Sequence, residues 1–334
     1  MYTNYHAHSS MMFWIGQGAT GSGDWVKQWW DIYIDPIERK IKKDDIRILS
    51  EVCALAYLDV GITEVWDMYF FEDTLAQVFS KRGIKTYIGE AVMIDAPTGF
   101  VGAEALKETE RLIEKYKNDP LIEPVVGYVG LYDWASNQEI TEASAELAKK
   151  YKVPVHMHGA GNIGDFNDCL RAYKMMPIEA LEYFGFFSEE IPEIIIAHCS
   201  VLDPKEIEIL RKHKERVKVA ICPKTNQTIN YPLAPVEELI DNGIKVVLGT
   251  DGTSPCGLPD ISEDIEIASK LYGVSREYFE KNNKSSVEVI EVQPKERKAI
   301  IKDWKALLDD LSVRARLDDE TKREFLKSKE LIKN

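Results

Sequence analysis

Residues 153–159 read Val-Pro-Val-His-Met-His-Gly, a short β-rich run that carries two histidines near its end. The same arrangement opens the chain, where residues 2–8 read Tyr-Thr-Asn-Tyr-His-Ala-His. Alternate residues of a strand point to the same face, so His6 and His8 are expected on one side of the first strand. The later pair follows the same alternation. Both segments are therefore predicted to be strands that end in paired imidazoles.

The rest of the chain repeats the pattern of a short β-rich run followed by an amphipathic segment, as far as about residue 275. Such alternation is typical of βαβ units around a parallel sheet. The eight predicted strands are Tyr2–His8, Ile62–Tyr69, Ile84–Met93, Pro124–Asp133, Val153–Gly159, Glu193–Ser200, Val217–Lys224 and Ile244–Asp251. Eight units close a barrel. We therefore predict an α/β fold, a (β/α)8 TIM barrel over residues 1–275, with additional C-terminal helices over residues 276–334 packed on it.

The composition indicates a globular, acidic protein. Of 334 residues, 45% are hydrophobic and 29% charged, and 42 Lys and Arg against 56 Asp and Glu leave a net charge of −14. A negative surface repels phosphate backbones and anionic membranes, so a small molecule is the expected partner. The first residues resemble no signal peptide and no run of about 18 apolar residues occurs, which favours the cytoplasm. Five scattered cysteines without a CxxC pair are expected to be reduced thiols.

Five of the six histidines fall at the carboxyl ends of predicted strands, and a carboxylate joins them at the end of the eighth. They are His6, His8, His156, His158 and His198, with Asp251 as the carboxylate. In a barrel these ends converge on the mouth where active sites of this fold lie. Imidazole and carboxylate are ligands of Zn²⁺, Fe²⁺ and Mn²⁺, and three or four of them can hold a metal ion that activates water. One such histidine alone would be read as a hydrogen-bonded core residue, but the convergence of five predicts a metal centre.

Blocks at the ends of six strands resemble the amidohydrolase superfamily, above all its methylthioadenosine and S-adenosylhomocysteine deaminases and chlorohydrolases. The blocks are His6-Ala7-His8, Asp67-Met68-Tyr69-Phe70-Phe71, Val155-His156-Met157-His158, Ala197-His198-Cys199, Pro223-Lys224-Thr225-Asn226 and Leu248-Gly249-Thr250-Asp251-Gly252. The relatives add a β-sandwich to the barrel. Because the first strand begins at Tyr2, no such domain is expected, and in this the chain is more similar to the adenosine deaminase group.

The resemblance implies the roles of the site residues. It makes His6, His8, His158 and Asp251 the ligands of one divalent metal ion, with zinc expected first and manganese or iron as alternatives. It makes Asp251 a catalytic base and His198 a catalytic group beside the bound water or the substrate oxygen. No lysine at the end of strand four could bridge a second ion, so a single metal ion is expected.

Further residues are predicted to contact the substrate. Glu38 falls where the resemblance places a glutamate that holds ribose hydroxyls, although a solvated helix residue would look the same. Lys224 would attract an anionic substrate or be salt-bridged within the rim. His156, Asp133 and Trp134 complete the predicted rim.

Residues 11–25 are rich in glycine and aromatic residues, and they include Trp14 and Trp25. Glycine gives the backbone conformational freedom, and tryptophan supplies apolar surface that can contact a substrate. A mobile lid that covers the mouth and binds substrate is therefore predicted. The alternative is that these tryptophans pack a subunit interface, which would make the protein a homodimer. The segment also contains a G-x-G-x-x-G match, but no helix follows it directly, and a dinucleotide site is rejected.

Two groups of the similar deaminases have no counterpart here. Similar deaminases carry a glutamate three residues after the strand-five ligand, where this chain has Gly161. They also carry a histidine after strand four, and Leu131 stands near that position here. Loss of a general acid typically costs ~10²- to 10⁴-fold in rate. The leading expectation is therefore hydrolysis at a carbonyl-like carbon of a small cyclic substrate, such as a cyclic amide, a ring diketone or a ring that loses a halide.

Two alternatives remain open. The first is deamination of a purine, a pyrimidine or a related heterocycle, with Asp133, Asp165 or Glu90 as a substitute acid. The second is a non-catalytic barrel that binds a metal ion.

Overall fold

A computed structural model describes residues 1–16, 30–288 and 291–333 of the chain. Its centre is a sheet of parallel strands. They are β1 (Tyr2–Ala7), β2 (Ile62–Tyr69), β3 (Lys85–Val92), β4 (Ile122–Pro124), β5 (Val126–Tyr128), β6 (Val155–Gly159), β7 (Ile194–His198), β8 (Val217–Ile221) and β9 (Lys245–Leu248). The spatial order is β1-β2-β3-β5-β6-β7-β8-β9, with β4 also paired to β3. A parallel bridge between Ala7 and Asp251 brings the last strand back to the first. The predicted (β/α)8 TIM barrel is confirmed.

Helices cover the outside of the barrel and continue beyond its last strand. They are α1 (Asp35–Glu38), α2 (Lys43–Asp59), α3 (Glu72–Lys81), α4 (Ala103–Tyr116), α5 (Gln138–Tyr151), α6 (Ile163–Tyr173), α7 (Pro177–Tyr183), α8 (Pro204–Lys212), α9 (Pro223–Thr228), α10 (Val236–Asp241), α11 (Thr253–Cys256), α12 (Ile261–Tyr272), α13 (Arg276–Asn282), α14 (Pro294–Arg314) and α15 (Asp319–Leu326). A π-helical turn (Trp30–Ile34) precedes α1, and short 3-10 turns lie at Ser9–Met11 and Lys327–Glu330. Among the described helices, none combines the length and the apolar character needed to cross a membrane.

Several predicted strands are shorter than the sequence suggested, among them the eighth, which ends at Leu248 instead of Asp251. In two others, the fourth and the seventh, the residues that follow the strand line the mouth. The fourth ends at Tyr128 instead of Asp133, and Gly130, two residues later, has a positive φ of 139°. The seventh ends at Ile221 instead of Lys224, because Pro223 lacks an N–H for the ladder and begins α9. The residues beyond these two strand ends therefore lie in loops and a helix at the mouth.

Apolar side chains fill the barrel beneath the histidines. A cluster of its own, separate from the core between strands and helices, is formed by Tyr5, Trp66, Val125, Ile195, Ala220 and Val247. The ring of Trp66 reaches that of His156, with centroids 6.1 Å apart. The packed interior closes the lower end of the barrel, as in other barrels of this class, and leaves the upper end for the site.

The seam between β1 and β9 is closed with help from the segment after α13. Asn283 is fully buried, and its side-chain amide donates to the backbone oxygens of Thr3 and Leu248, 2.9 Å from each. Its Oδ1 accepts from the N–H of Leu248 at 3.1 Å. A residue of the predicted C-terminal extension therefore takes part in closing the barrel. The boundary at residue 275 stays a prediction.

The C-terminal helices also hold the segment that follows β1. Trp304 of α14 donates from Nε1 to the Met12 oxygen at 2.7 Å, and Ser328 accepts from the N–H of Ile15 at 3.0 Å. All five cysteines lie within the described residues, and each is buried and unpaired.

Candidate active site and metal centre

The structure brings the four predicted metal ligands together at the mouth. Their candidate donor atoms all lie within 4.8 Å of one another. The Nε2 atom of His8 is 3.2 Å from Nε2 of His158 and 3.3 Å from Oδ1 of Asp251. The Nε2 atom of His6 is 3.5 Å from the same Asp251 oxygen. We refer to these four residues as the ligand cluster.

These separations fit a metal ion. Ligand atoms about 2.0–2.1 Å from a tetrahedral zinc ion are about 3.3 Å from one another. The distances of 3.2–3.5 Å between the donors of the ligand cluster match this value. In addition, Nε2 of His6 is buried and has no hydrogen-bond partner in the described part of the chain. A buried imidazole nitrogen without a hydrogen-bond partner needs a metal cation or a hydrogen-bond donor beside it.

Backbone carbonyls set the orientation of two imidazoles. The Nδ1 atom of His8 donates to the Met68 oxygen at 2.6 Å, and Nδ1 of His158 donates to the Val129 oxygen at 2.7 Å. A proton on Nδ1 leaves the Nε2 lone pair free, and Nε2 is the atom that faces the cluster. Such outer bonds usually fix metal-binding histidines in the correct tautomer.

The third imidazole of the cluster is supported from below by His156. Nδ1 of His6 and Nε2 of His156 lie 2.8 Å apart and share a hydrogen bond. His156 is fully buried and does not line the cavity. Although sequence periodicity places it on the same face as His158, it lies deeper and touches a ligand instead of the open space.

The charges of the cluster suit metal ligands. Burial lowers the pKa of His6 to about 4 and holds that of His158 well below its ordinary value. Burial alone would raise the pKa of Asp251, but the neighbouring imidazoles of His6 and His8 hold it well below normal. Burial opposes protonation of His8 as well, yet its bond to Asp251 raises its pKa. A positive charge between His8 and Asp251 is therefore favoured, and a metal ion supplies one.

The backbone is strained where the strands end at the site. His198 has φ of 73° and Asp251 has φ of 59°, in the left-handed region that costs non-glycine residues of order 1–3 kcal/mol. Next to them, a Cβ added at Gly249 would lie 2.6 Å from His6 Cβ and 2.7 Å from its oxygen. Only glycine lets the end of β9 pass this close to His6, so Gly249 is required for the approach of Asp251.

A cavity of about 550 Å³ opens above the cluster. Most of its wall is apolar or aromatic, with Met11, Met68, Tyr69, Phe70, Met93, Val129, Tyr132, Trp134, Ile229 and Tyr231. Tyr132 and Trp134 stack on each other, with ring centroids 5.1 Å apart and an angle of 19°. The volume and the flat aromatic surface suit a small planar ring with a substituent.

His198 lies at the edge of the cluster. Its Nε2 is 3.9 Å from Oδ2 of Asp251, and its Nδ1 is 3.3 Å from Oδ1 of Asn226. Asn226 donates from its amide to Ser200 at 3.0 Å, which directs its oxygen towards His198. His198 therefore donates from Nδ1 and presents the lone pair of Nε2 to the cavity.

Asp133 and Trp134 line the cavity, whereas other predicted contacts do not. Asp133 is at the entrance, where its side chain is 58% exposed and pairs with Arg171 at 3.3 Å. Lys224 lies on α9 outside the cavity lining and pairs with Glu263. Lys224 was expected either to attract an anionic substrate or to form a salt bridge within the rim, and the structure shows a salt bridge.

Glu38 and Trp14 are buried behind the cavity. Glu38 accepts a hydrogen bond from the hydroxyl of Tyr69, which itself lines the cavity, and burial raises the pKa of Glu38 to about 8. Trp14 packs edge-on against Phe325 of α15 at 5.5 Å and is 3% exposed, because the C-terminal helices cover this segment. Trp25 and the glycines after Gly16 in the motif lie outside the described residues.

Sequence reasoning missed several residues of the wall. Tyr69, Tyr132 and Tyr231 line the cavity, as do Asp168 and Arg171 of α6. Tyr132 could have been found, because it lies next to the carboxyl end of the predicted fourth strand, Asp133. Tyr231 has no such signal, since it follows α9 in a loop whose path depends on its hydrogen bond from Asn162 at 2.9 Å.

The mouth of this (β/α)8 barrel gathers three imidazoles and a carboxylate that could hold a metal ion, at the end of the barrel where active sites of this fold lie. The model of the amidohydrolase family matches residues 2–291. The chain therefore belongs to the amidohydrolase family.

Relatives with assigned names support this membership. The chain is 32% identical over 273 residues to 5-methylthioadenosine/S-adenosylhomocysteine deaminase of Thermodesulfovibrio yellowstonii, covering 81% of this chain and 60% of that protein. It is 32% identical over 266 residues to 5'-deoxyadenosine deaminase of Methanothrix thermoacetophila, covering 80% and 60%. It thus spans about 60% of the length of these relatives. An adenosine deaminase from Xanthomonas campestris, solved with bound zinc, has the same fold, with a TM-score of 0.74 at 23% identity over 81% of this chain and 60% of that one.

Proposed function

We propose that this protein hydrolytically deaminates a small amino-substituted heterocycle of the adenine type, with the aid of one divalent metal ion. The observation that carries the proposal is the ligand cluster at the base of an aromatic cavity, with His198 beside it. Two relatives at 32% identity are named as deaminases of adenosine derivatives. They favour deamination over the other hydrolytic reactions that the sequence left open.

The ligand cluster would hold the ion, and zinc is the metal we expect. Imidazole nitrogens and carboxylate oxygens are both usual donors to zinc in proteins. When bound, such an ion lowers the pKa of water to about 7 and polarises the bond under attack. Manganese and iron accept the same donors and remain alternatives.

Asp251 and His198 would handle the attacking water. The Oδ2 atom of Asp251 lies on the side of His198, 3.9 Å from Nε2, so one water can contact both. The pKa of Asp251 is held well below normal by His6 and His8 despite its burial, so it is ionised and can accept a proton. His198 accepts at Nε2 and would orient the water for attack on the ring carbon.

The wall of the cavity would position the ring. The stacked pair of Tyr132 and Trp134 offers a flat face, and Met68 and Phe70 add apolar surface. Stacking of this kind is tolerant of the substituents on the ring. We therefore expect the amino-heterocycle to be recognised more strictly than the group attached to it.

Measurement of ammonia tests the proposal. The protein would be loaded in turn with zinc, manganese and iron, and offered adenosine, methylthioadenosine, 5'-deoxyadenosine, guanine and an aminotriazine. We expect ammonia release with about one metal ion per chain, and loss of both metal and activity in His6→Ala. His213→Ala is the matched control, since His213 lies away from the mouth beside Glu182.

A second candidate function is ring opening or loss of a halide, and Gly161 is the observation that favours it, because no glutamate follows the strand-five ligand. Chlorinated analogues and cyclic amides belong in the same panel. Turnover of these without ammonia from any amine would establish this second function and reject deamination.

A further inference from the structure

We propose that Asp165 is the acid that protonates the ring of the substrate. Similar deaminases use a glutamate for this step, and this chain has Gly161 at the position of that glutamate. The proposal rests on the proposed deamination. Asp165 lies in the first turn of α6 and lines the same cavity as the ligand cluster.

The geometry around Gly161 points to this assignment. A Cβ added to Gly161 would lie 3.1 Å from Oδ2 of Asp165 and 3.4 Å from Cδ2 of His198. A side chain at position 161 would therefore enter the space between these two groups. The carboxylate of Asp165 already occupies one side of it, four residues later in the chain. The acid can thus be supplied from the helix instead of from the strand end.

Helix capping does not use the whole carboxylate. Oδ2 accepts from the N–H groups of Gly161 at 2.8 Å and Asn162 at 3.3 Å, and Oδ1 accepts from the Asn162 amide at 2.8 Å. A carboxylate has about four acceptor positions, so about one is left for a proton.

The surroundings let Asp165 carry a proton near neutral pH. Burial raises its pKa to about 7, although the N–H groups of Gly161 and Asn162 oppose the shift and Asp168 adds to it. The other titratable groups that face it are Cys169 of the same helix, Tyr132 after β5, Tyr231 after α9, and His198 across Gly161. An acid is most effective when its pKa is close to the working pH.

The other two substitute acids are placed less well. Glu90 is fully buried, accepts from the N–H groups of Phe71 and Glu72 at 3.0 Å each, and does not line the cavity. Asp133 lines the entrance, but it is largely exposed and paired with Arg171. Asp165 alone combines burial with contact to the cavity among these three.

The proposed reaction returns every proton that it uses. As the water oxygen bonds to the ring carbon, Asp165 gives its proton to the adjacent ring nitrogen, and Asp251 takes one proton from the water. The amino group then receives the proton held by Asp251, the carbon–nitrogen bond breaks and ammonia leaves. The remaining hydroxyl proton returns to Asp165 as the carbonyl forms, which restores both carboxyl groups.

Kinetics of Asp165→Asn, over a range of pH and with an ammonia-releasing substrate, test the assignment. We expect kcat to fall by ~10²- to 10⁴-fold with the metal content unchanged. Wild-type kcat should decrease above about pH 7, where Asp165 loses its proton, and this decrease should be absent in the variant. Asp165→Glu keeps a carboxyl group and should retain both the decrease and part of the rate.

Glu206→Gln is the matched control. Glu206 is likewise the buried acid in the first turn of its helix, α8, where it accepts from Ile178 and Asp203, and its pKa is raised by burial to about 7. It does not line the cavity, so the variant should lose stability without a change in the pH profile of kcat.

The possible failures are distinct. If wild-type protein releases no ammonia, the proposed function is wrong. If it releases ammonia and Asp165→Asn stays within about threefold of wild type, the assignment is overturned while the function stands. A wild-type kcat that shows no decrease at alkaline pH overturns the assignment as well, and this measurement needs no variant to fold.

Discussion

A single hydrogen bond beneath the ligand cluster determines which nitrogen of His6 can bind a metal ion. His156 holds Nδ1 of His6 at 2.8 Å, so that Nε2 faces the other donors. Neither ring has access to water, because both residues are fully buried. At the scale of the residue, His156 is therefore a positioning residue for the site.

We predict that His156→Ala weakens metal binding about 10- to 100-fold, which is typical when an outer partner of a ligand is lost. Competition against a chelator of known affinity measures the effect. His156→Gln retains an acceptor and should recover part of the affinity. His213→Ala, which removes an imidazole outside the mouth, should leave the affinity unchanged. Equal affinity in His156→Ala and wild type would contradict the positioning role.

At the scale of the element, the weakest join of the barrel lies between β1 and β9. The two strands share one isolated bridge, from Ala7 to Asp251, and the Asp251 N–H donates to the His6 oxygen at 3.0 Å. Asn283 supplies three more hydrogen bonds across this seam from outside the sheet. Two ligands of the cluster, His6 and Asp251, lie at the upper end of the same seam.

We predict that Asn283→Ala lowers the free energy of unfolding by about 2–4 kcal/mol, because three backbone groups lose buried partners worth about 1 kcal/mol each. Urea unfolding measures the loss, and metal affinity should fall with it as the seam loosens. Asn282→Ala, one residue earlier at the end of α13, is the matched control and should cost far less. Similar losses in the two variants would show that Asn283 has no special part in closing the barrel.

At the scale of the whole molecule, burial of carboxyl groups couples stability to pH. Burial raises the pKa of Glu90 and of Asp264 to about 8. Asp264 accepts one hydrogen bond, from the N–H of Lys224 at 3.2 Å, and its positive neighbour only partly offsets the burial. An acid with a raised folded-state pKa favours the folded protein fully below its unfolded pKa, near 4. That contribution is lost as the pH rises towards 8.

We predict that Asp264→Asn flattens this dependence. Between pH 5.5 and 7.5 the folded wild type holds a proton on Asp264 that the unfolded chain has released, so its stability decreases with pH. The slope lost in the variant should approach, and not exceed, about 1.4 kcal/mol per pH unit. Urea unfolding of both metal-loaded proteins at several pH values measures it. Parallel curves for the two proteins would refute the prediction.

The barrel and the gathering of histidines at its mouth could be predicted from the sequence because both depend on periodicity along the chain, whereas the ligand cluster was selected among them by the resemblance to the amidohydrolase superfamily. A repeat of two residues places His6 with His8, and the alternation of strands and helices brings eight strand ends to one mouth. Asp165 appeared in the sequence only as one of three possible acids. Nothing local shows that its carboxylate reaches the space beside Gly161, since that depends on how α6 leaves β6.

The sequence by itself determined the fold and the gathering of five histidines and Asp251 at the mouth, because both follow from strand periodicity and from the convergence of parallel strands. The resemblance to the amidohydrolase superfamily then singled out the four residues of the ligand cluster and the place of His198. Only the tertiary structure decided how deeply each side chain is buried and which residues it contacts. It placed His156 beneath the cluster, Glu38 behind Tyr69 and Trp14 against the C-terminal helices. It also joined Asn283 to the β1–β9 seam, 280 residues after its partner Thr3. The physical reason is that periodicity states which face a side chain occupies, whereas burial and hydrogen bonding depend on segments that packing brings together from distant parts of the chain.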